Sequence, residues 1–284
     1  MPSPPAPALS DSPVTTVIDA EAPRTRVELG ELWRAREMAL HLAWRDVKVR
    51  YKQSLIGIAW AVVQPVLTMV VFTLIFGKFA SFPSQGLPYP VFVFLGLVPW
   101  FFFSSSLTQI GSCVQVNRQL LQKVYFPRLI LPISGLFVPA VDFVFSFVVL
   151  LGIMFWYDVG IEPTALLAPL FLLLLGITAL GIGGVLATIN ARYRDVPYAI
   201  PFLIQTWLWL SPVTYPLTGI PEKWQTILAL NPVVASITGF RWALTGTPAP
   251  TTITLVLGVS MALVFLFVGF RVFRSGEIRF ADTV

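Results

Sequence analysis

The sequence predicts an all-α integral membrane protein: six transmembrane helices, an N-terminal amphipathic interfacial helix ahead of them, and a re-entrant outer segment before the last span. Three observations predict it. Hydrophobic residues fill 56% of the 284 positions and charged residues only 12%, against roughly 25% charged in an ordinary soluble domain. The charges are also gathered, with 15 of the 33 Lys, Arg, Asp and Glu lying between Asp11 and Lys52. Finally, six stretches reach the roughly 20 apolar residues that a helix needs to cross a bilayer core.

Residues 1–30 open with a run rich in Pro, Ala and Ser. They have neither the basic start nor the apolar centre of a signal peptide and read as a disordered cytoplasmic tail. From 31 to 54 the pattern is that of a surface helix. Trp33, Leu40, Trp44, Val47 and Tyr51 fall on one apolar stripe, and Arg34, His41, Arg45, Lys48 and Lys52 repeat that spacing one residue round. Such a helix lies in the membrane interface, as a topology anchor on anionic lipid or as a receiver for an anionic lipid head group.

The six spans are expected at 56–76, 89–110, 129–157, 165–189, 198–217 and 252–273. Between the fifth and sixth, Trp224 to Leu244 is apolar enough for a seventh crossing, but Asn231-Pro232 breaks it into two short pieces. Residues 218–251 therefore read as a re-entrant pair of short helices, shielded by protein or facing a water-filled cavity. Six spans put both termini on one side. The segments on that side hold sixteen Lys and Arg against three on the other, Lys78, Lys223 and Arg241, so the positive-inside rule places both termini in the cytoplasm.

Several chemistries are excluded. There is no GxxxxGK[ST] phosphate loop, no HExxH, no GxSxG and no carboxylate pair placed as acid and base. Any ATP must be hydrolysed by another chain. A single cysteine, Cys113, rules out an internal disulfide and reads as a small buried apolar residue; with His41 the only histidine, no zinc cluster is expected. Nothing points to nucleic acid.

Three features remain that could carry function. Asp142 is the one ionisable residue deep in a span, where an acid costs roughly 2.5–3.5 kcal/mol to insert. No Lys or Arg lies deep in any span, so Asp142 is expected protonated or bonded to hydroxyls, amides or water, as a helix contact, a pathway residue or a proton-coupling acid. The first and fifth spans carry amides and rings, Trp60, Gln64 and Thr68 in one and Phe202, Gln205, Thr206 and Trp209 in the other. Rings stack on sugar C–H faces and amides bond sugar hydroxyls, so these faces suit a carbohydrate conduit, although such rings also form interfacial belts. The loop from Asn117 to Arg128 reads as two turns of helix ended by Pro127, with Leu120, Leu121 and Val124 on its apolar face, which a peripheral motor could grip.

The run from Arg45 to Ser54, continued by LIGIAWAVVQP to Pro65, then QLLQKVYFPRLILP from Gln119, ARYRDV from Ala191, Asn231-Pro232 and the terminal RFADTV, resembles the permease subunit of ABC-2 type polysaccharide exporters. The O-antigen (Wzm-type) permeases are the nearest group, with teichoic acid and capsule exporters as relatives. The resemblance spans 31–284. It implies a homodimer of six-helix subunits, working with two copies of a separate ABC ATPase in the bacterial inner membrane. It also implies a lipid-linked glycan as cargo, commonly on undecaprenyl diphosphate, with ATP and Mg on the ATPase and no cofactor in this chain. Under it, Asn117, Arg118, Leu120, Leu121, Lys123, Val124, Tyr125 and Phe126 belong to a coupling helix docked on the ATPase. Arg45, Lys48, Arg50 and Lys52 meet the diphosphate, and Trp60, Gln64, Phe202, Gln205 and Trp209 line the conduit. Two other readings stay open: a proton-coupled secondary transporter built on Asp142, and a membrane enzyme acting on lipid-linked sugar, for which Asp158, Glu162 and Glu222 are the outer acids.

Overall fold

The computed structural model describes residues 30, 33, 35–52, 59–124, 126–193 and 195–283, with side chains as far as Glu277. The tail of residues 1–29, residues 53–58 that would open the first span, Tyr125, Arg194 and the terminal side chains lie outside it. Among the described residues every regular element is helical, as a bilayer demands of a chain that must satisfy its backbone internally.

The elements are α1 Arg36–Lys52, α2 Ala59–Phe72, α3 Tyr89–Val116, α4 Arg118–Lys123, α5 Ile130–Ser134, α6 Phe137–Trp156, α7 Ala168–Arg192, α8 Val196–Trp209, α9 Glu222–Leu228, α10 Pro232–Thr245 and α11 Thr252–Thr283. Helix α2 runs on into a seven-residue π turn, Thr73–Phe79. Five segments are long and apolar enough to cross a membrane: Ala59–Phe79, Tyr89–Val116, Ile130–Trp156, Pro163–Arg192 and Thr252–Glu277. They overlap the first four and the last of the expected spans.

The fifth differs. Helix was expected over 198–217, but α8 stops at Trp209 after 14 residues, about 21 Å at 1.5 Å per residue, short of a hydrocarbon core of about 30 Å. Pro212 disfavours helical geometry at Ser211, and residues 210–215 turn instead. The carbonyls freed there need donors, and the region after them supplies two. Arg241 Nη2 donates to Pro212 O and Val213 O at 3.2 Å each, and Asn231 Nδ2 donates to Leu210 O at 3.4 Å.

Asn231 also ends α9 and starts α10, its Oδ1 accepting from the Val233 amide at 3.1 Å as an N-cap. The two helices bend by 106° across it. Neither piece is long enough to cross, and the bend is the one that Asn231-Pro232 predicts.

Helix α3 is the axis of the fold and its most deeply buried span, while α2 buries little, with Pro65 its buried residue. The most extensive packing joins α3 to α7 and α7 to α11. In the second pair glycines set the spacing: a Cβ on Gly181 would lie 2.5 Å from the Leu266 nitrogen, and one on Gly269 would collide with Gly181 O. Small residues allow backbones to touch where no hydrophobic force drives helices together. At one end of α3, Asn117 bonds Arg45 of α1; at the other, Tyr89 donates to Thr214 O at 2.8 Å.

Helix α1 packs on the bundle through Leu42 and Ala43, helped by Ala35, Met38 and Ala39. The Trp33, Leu40 and Trp44 stripe points away from the protein and is exposed.

Candidate functional site

Between α2, α3 and α8 runs a groove of about 440 Å³. Gln64 comes from α2 and Gln205 from α8, as the sequence suggested, and the two share this one lining. Its third wall had not been anticipated. Ser104, Ser105, Thr108 and Gln109 of α3 face it, recurring at helical spacing in an otherwise apolar helix. That stripe was legible in SSSLTQ and is the signal that could have found it.

A narrower cleft adjoins the groove, lined by Trp60, Gln64, Ser105, Ser146 and Asp142, and Arg50 lines both spaces. Phe202 and Trp209 line neither. Phe202 is exposed on a neighbouring side of α8, whereas Trp209 packs on Phe72 and Phe76, ring centres 6.3 Å apart in each case. Thr206 bonds back to Phe202 O. On α8 the groove takes Pro201, Ile204, Gln205 and Leu208, so only Gln205 of the expected set turns toward it.

Asp142 has a charged partner, which corrects the expectation that it would lack one. Arg50 Nη2 lies 2.6 Å from Asp142 Oδ2, and the Tyr51 hydroxyl donates to Oδ1. The cation comes from α1 rather than from another span. The predicted span is broken at Gly135–Leu136, leaving Asp142 in the second turn of α6, within reach of the end of α1. Tyr51 was read into the apolar stripe; its ring does pack edge-on to Phe145, but its oxygen serves the carboxylate. Burial first, then the bond to Asp142, raises its pKa out of the ordinary tyrosine range.

The four expected head-group residues divide between two helix faces. Arg45, Lys48 and Lys52 line a surface groove of about 450 Å³ with His41, Trp44 and Val49; Arg50 is two residues from each neighbouring lysine, about 200° round the helix. Lys48 sits 5.5 Å from the Trp44 ring centre. Arg45 is engaged as well, its Nη2 2.7 Å from Asp46 Oδ1 and 2.6 Å from Asn117 Oδ1.

That last bond ties α1 to the expected coupling segment. Asn117 is buried, and its Nδ2 also donates to Cys113 O at 2.9 Å. Helix α4 ends at Lys123, ahead of the Pro127 stop, and Val124 is extended and exposed rather than on a shared apolar face. Leu120 and Leu121 pack inward beside buried Phe126. Arg118 and Lys123 lie on the exposed side; Tyr125 is outside the described residues.

A polar groove thus runs along apolar helices, with a bent hairpin at one end and a short helix at the other. The model of the ABC-2 type transporter family matches residues 39–245. The chain belongs to the ABC-2 type transporter family. This ABC-2 chain is 31% identical over 259 residues to the O-antigen export system permease protein RfbA of Myxococcus xanthus, covering 89% of this chain and 98% of that protein. The RfbA permease of Klebsiella pneumoniae is 28% identical, covering 84% and 91%. The polysialic acid transport protein KpsM of Escherichia coli is 24% identical, covering 82% and 91%. ABC-2 chains are membrane subunits, and their family implies an ABC ATPase as partner.

Proposed function

We propose that this chain is the permease subunit of an ATP-driven exporter that moves a lipid-linked polysaccharide, O-antigen-like and carried on undecaprenyl diphosphate, across the bacterial cytoplasmic membrane. The observation that carries this reading is the groove in which Gln64, Ser105, Thr108, Gln109 and Gln205 converge among apolar helices. Hydroxyls and amides there can exchange hydrogen bonds with a sugar chain without holding any one residue of it.

In this reading a second copy of the chain closes the groove against lipid. The exposed α2 side chains Leu67, Val70, Val71 and Leu74 support that placement. Two ATPases, each binding ATP and Mg, grip the exposed side of α4. Through the Asn117–Arg45 bond their closure would move α1, and with it Arg50 at the groove. Sixteen basic residues against three support a cytoplasmic position for the α1 and α4 end, and α9 with α10 then forms an outer hairpin.

The other two readings gain no support. Asp142 is held by Arg50 and Tyr51, and among the described residues no three of His, Cys, Asp and Glu gather as a metal-dependent enzyme would need.

The test is export in cells lacking the native permease. Wild type is expected to restore surface glycan only together with its ATPase. Ser105→Trp, which fills the groove, should abolish export while the protein stays in the membrane with its ATPase bound. Full export by Ser105→Trp would remove the groove from the cargo path.

A further inference from the structure

Among the described residues that line it, the groove carries a single charge. Gln64, Ser104, Ser105, Thr108, Gln109 and Gln205 are neutral, and Arg50 is the one ionisable group. A guanidinium in a partly desolvated site is among the strongest phosphate ligands a protein can offer, with five donors in a fork that matches phosphate oxygens. In a transport path that strength is a hazard, because conduction needs binding favourable enough to enter and weak enough to leave. Uncompensated, Arg50 would trap a passing diphosphate.

Asp142 stands where that hazard is met. One oxygen lies 2.6 Å from Arg50 Nη2, and the other is held by the Tyr51 hydroxyl, so the carboxylate is oriented rather than free to swing away. It is largely buried, with 14% of its side chain exposed against 41% for Arg50. The acid is the fixed member of the pair, and the arginine is the member with room to change partners.

We propose that Asp142 is a release residue: it competes with the diphosphate of the lipid-linked cargo for Arg50, so that the head group is engaged in the groove and then let go. The proposal rests on the reading of the groove as the cargo path. It separates the two faces of α1, with Arg45, Lys48 and Lys52 gathering anionic head groups at the surface and Arg50 handling them inside. No proton is transferred and no bond is made or broken; the carboxylate and the diphosphate exchange places on one guanidinium.

The measurement is binding of undecaprenyl diphosphate to the permease–ATPase complex in nanodiscs, alongside export by the same variants. Asp142→Asn is expected to tighten that binding by about tenfold while slowing export. Asp142→Glu, which keeps the carboxylate, should restore both. Arg50→Gln should weaken binding, and Arg50→Gln with Asp142→Asn should be as weak as Arg50→Gln alone, because the acid acts only through the arginine. A merely structural ion pair would give lowered thermal stability and unchanged or weaker binding in Asp142→Asn, and that result overturns the proposal. Where Asp142→Asn fails to assemble, Asp142→Ser carries the same expectation. Undecaprenol alone should not compete. Inorganic pyrophosphate competing as well as the lipid would assign the site to a soluble anion and overturn the release role. A wild type with no preference for undecaprenyl diphosphate over undecaprenol removes the cargo-path reading itself, an outcome distinct from a wild type that binds and an Asp142→Asn that binds no tighter.

Discussion

Two arginines mark the two ends of this molecule, and they are held in opposite ways. Arg241, in the α9–α10 hairpin, is only 2% exposed. Its Nη2 donates to the carbonyls of Phe92, Pro212 and Val213 at 3.2–3.3 Å, and its guanidinium carbon lies 3.8 Å from the Phe92 ring centre. Among the described residues no carboxylate faces it. Gly96 makes the room, since a Cβ there would come within 2.9 Å of Nη2. Arg50, at the end of α1, has a carboxylate partner and an accessible side.

The difference teaches what each can do. Arg241 is bound by backbone dipoles from two elements that it joins, α3 and the unwound end of α8, and releasing it would leave the buried Pro212 and Val213 carbonyls of the turn without this donor. It is a fixed rivet. Among the described residues Arg50 has one carboxylate partner, which another anion can replace, and that is what a moving part needs.

The largest effect expected from this contrast is on stability. Arg241→Ala should destabilise the protein by about 3–5 kcal/mol, seen as a large fall in melting temperature and in membrane abundance. Arg241→Lys should recover little, because an ammonium cannot serve three carbonyls and stack on Phe92 together. A melting temperature unchanged by Arg241→Ala would erase the distinction. Next in size, Arg50→Gln should cut export by about tenfold or more while the complex with the ATPase still assembles; loss of assembly in place of activity would make Arg50 a rivet as well.

A smaller effect belongs to the outer face of α1. Lys48→Gln and Lys52→Gln should each weaken head-group binding by about fivefold, following the roughly 1 kcal/mol that a basic residue contributes near an anionic surface. The effect should shrink as salt rises. Smallest of all, Phe202→Ala should change export by less than about twofold, since Phe202 turns away from the groove, whereas Gln205→Trp should block it. Equal losses from both would mean that the cargo meets a wider face of α8.

Most of the fold was legible in the sequence because bilayer physics is written locally. Each long span announces itself in some twenty neighbouring residues, and the hairpin break sits in a single dipeptide, Asn231-Pro232. The fifth span was overdrawn because hydropathy reads through Ser211-Pro212 without noticing that the helix has ended. The site was harder, since it depends on separations no local pattern records. Arg50 and Asp142 are 92 positions apart, and the rule that an intramembrane acid finds its cation inside a span overlooked a helix lying beside the spans. Grouping Arg50 with Lys48 and Lys52 followed the family resemblance, where 100° per residue sends Arg50 to the other face. The Ser104 to Gln109 stripe was open to reading and lost against the stronger aromatic signal of α2 and α8.

The central claim is that cargo passes along the groove between α2, α3 and α8 when a separate ATPase fires. The most direct measurement reconstitutes the chain with its ATPase in sealed vesicles and follows a fluorescent undecaprenyl diphosphate-linked glycan into the protected compartment. Wild type should transport only with the ATPase and hydrolysable ATP, and Ser105→Trp should hydrolyse ATP without transport. Transport by the permease alone, or by Ser105→Trp at the wild-type rate, would contradict the account.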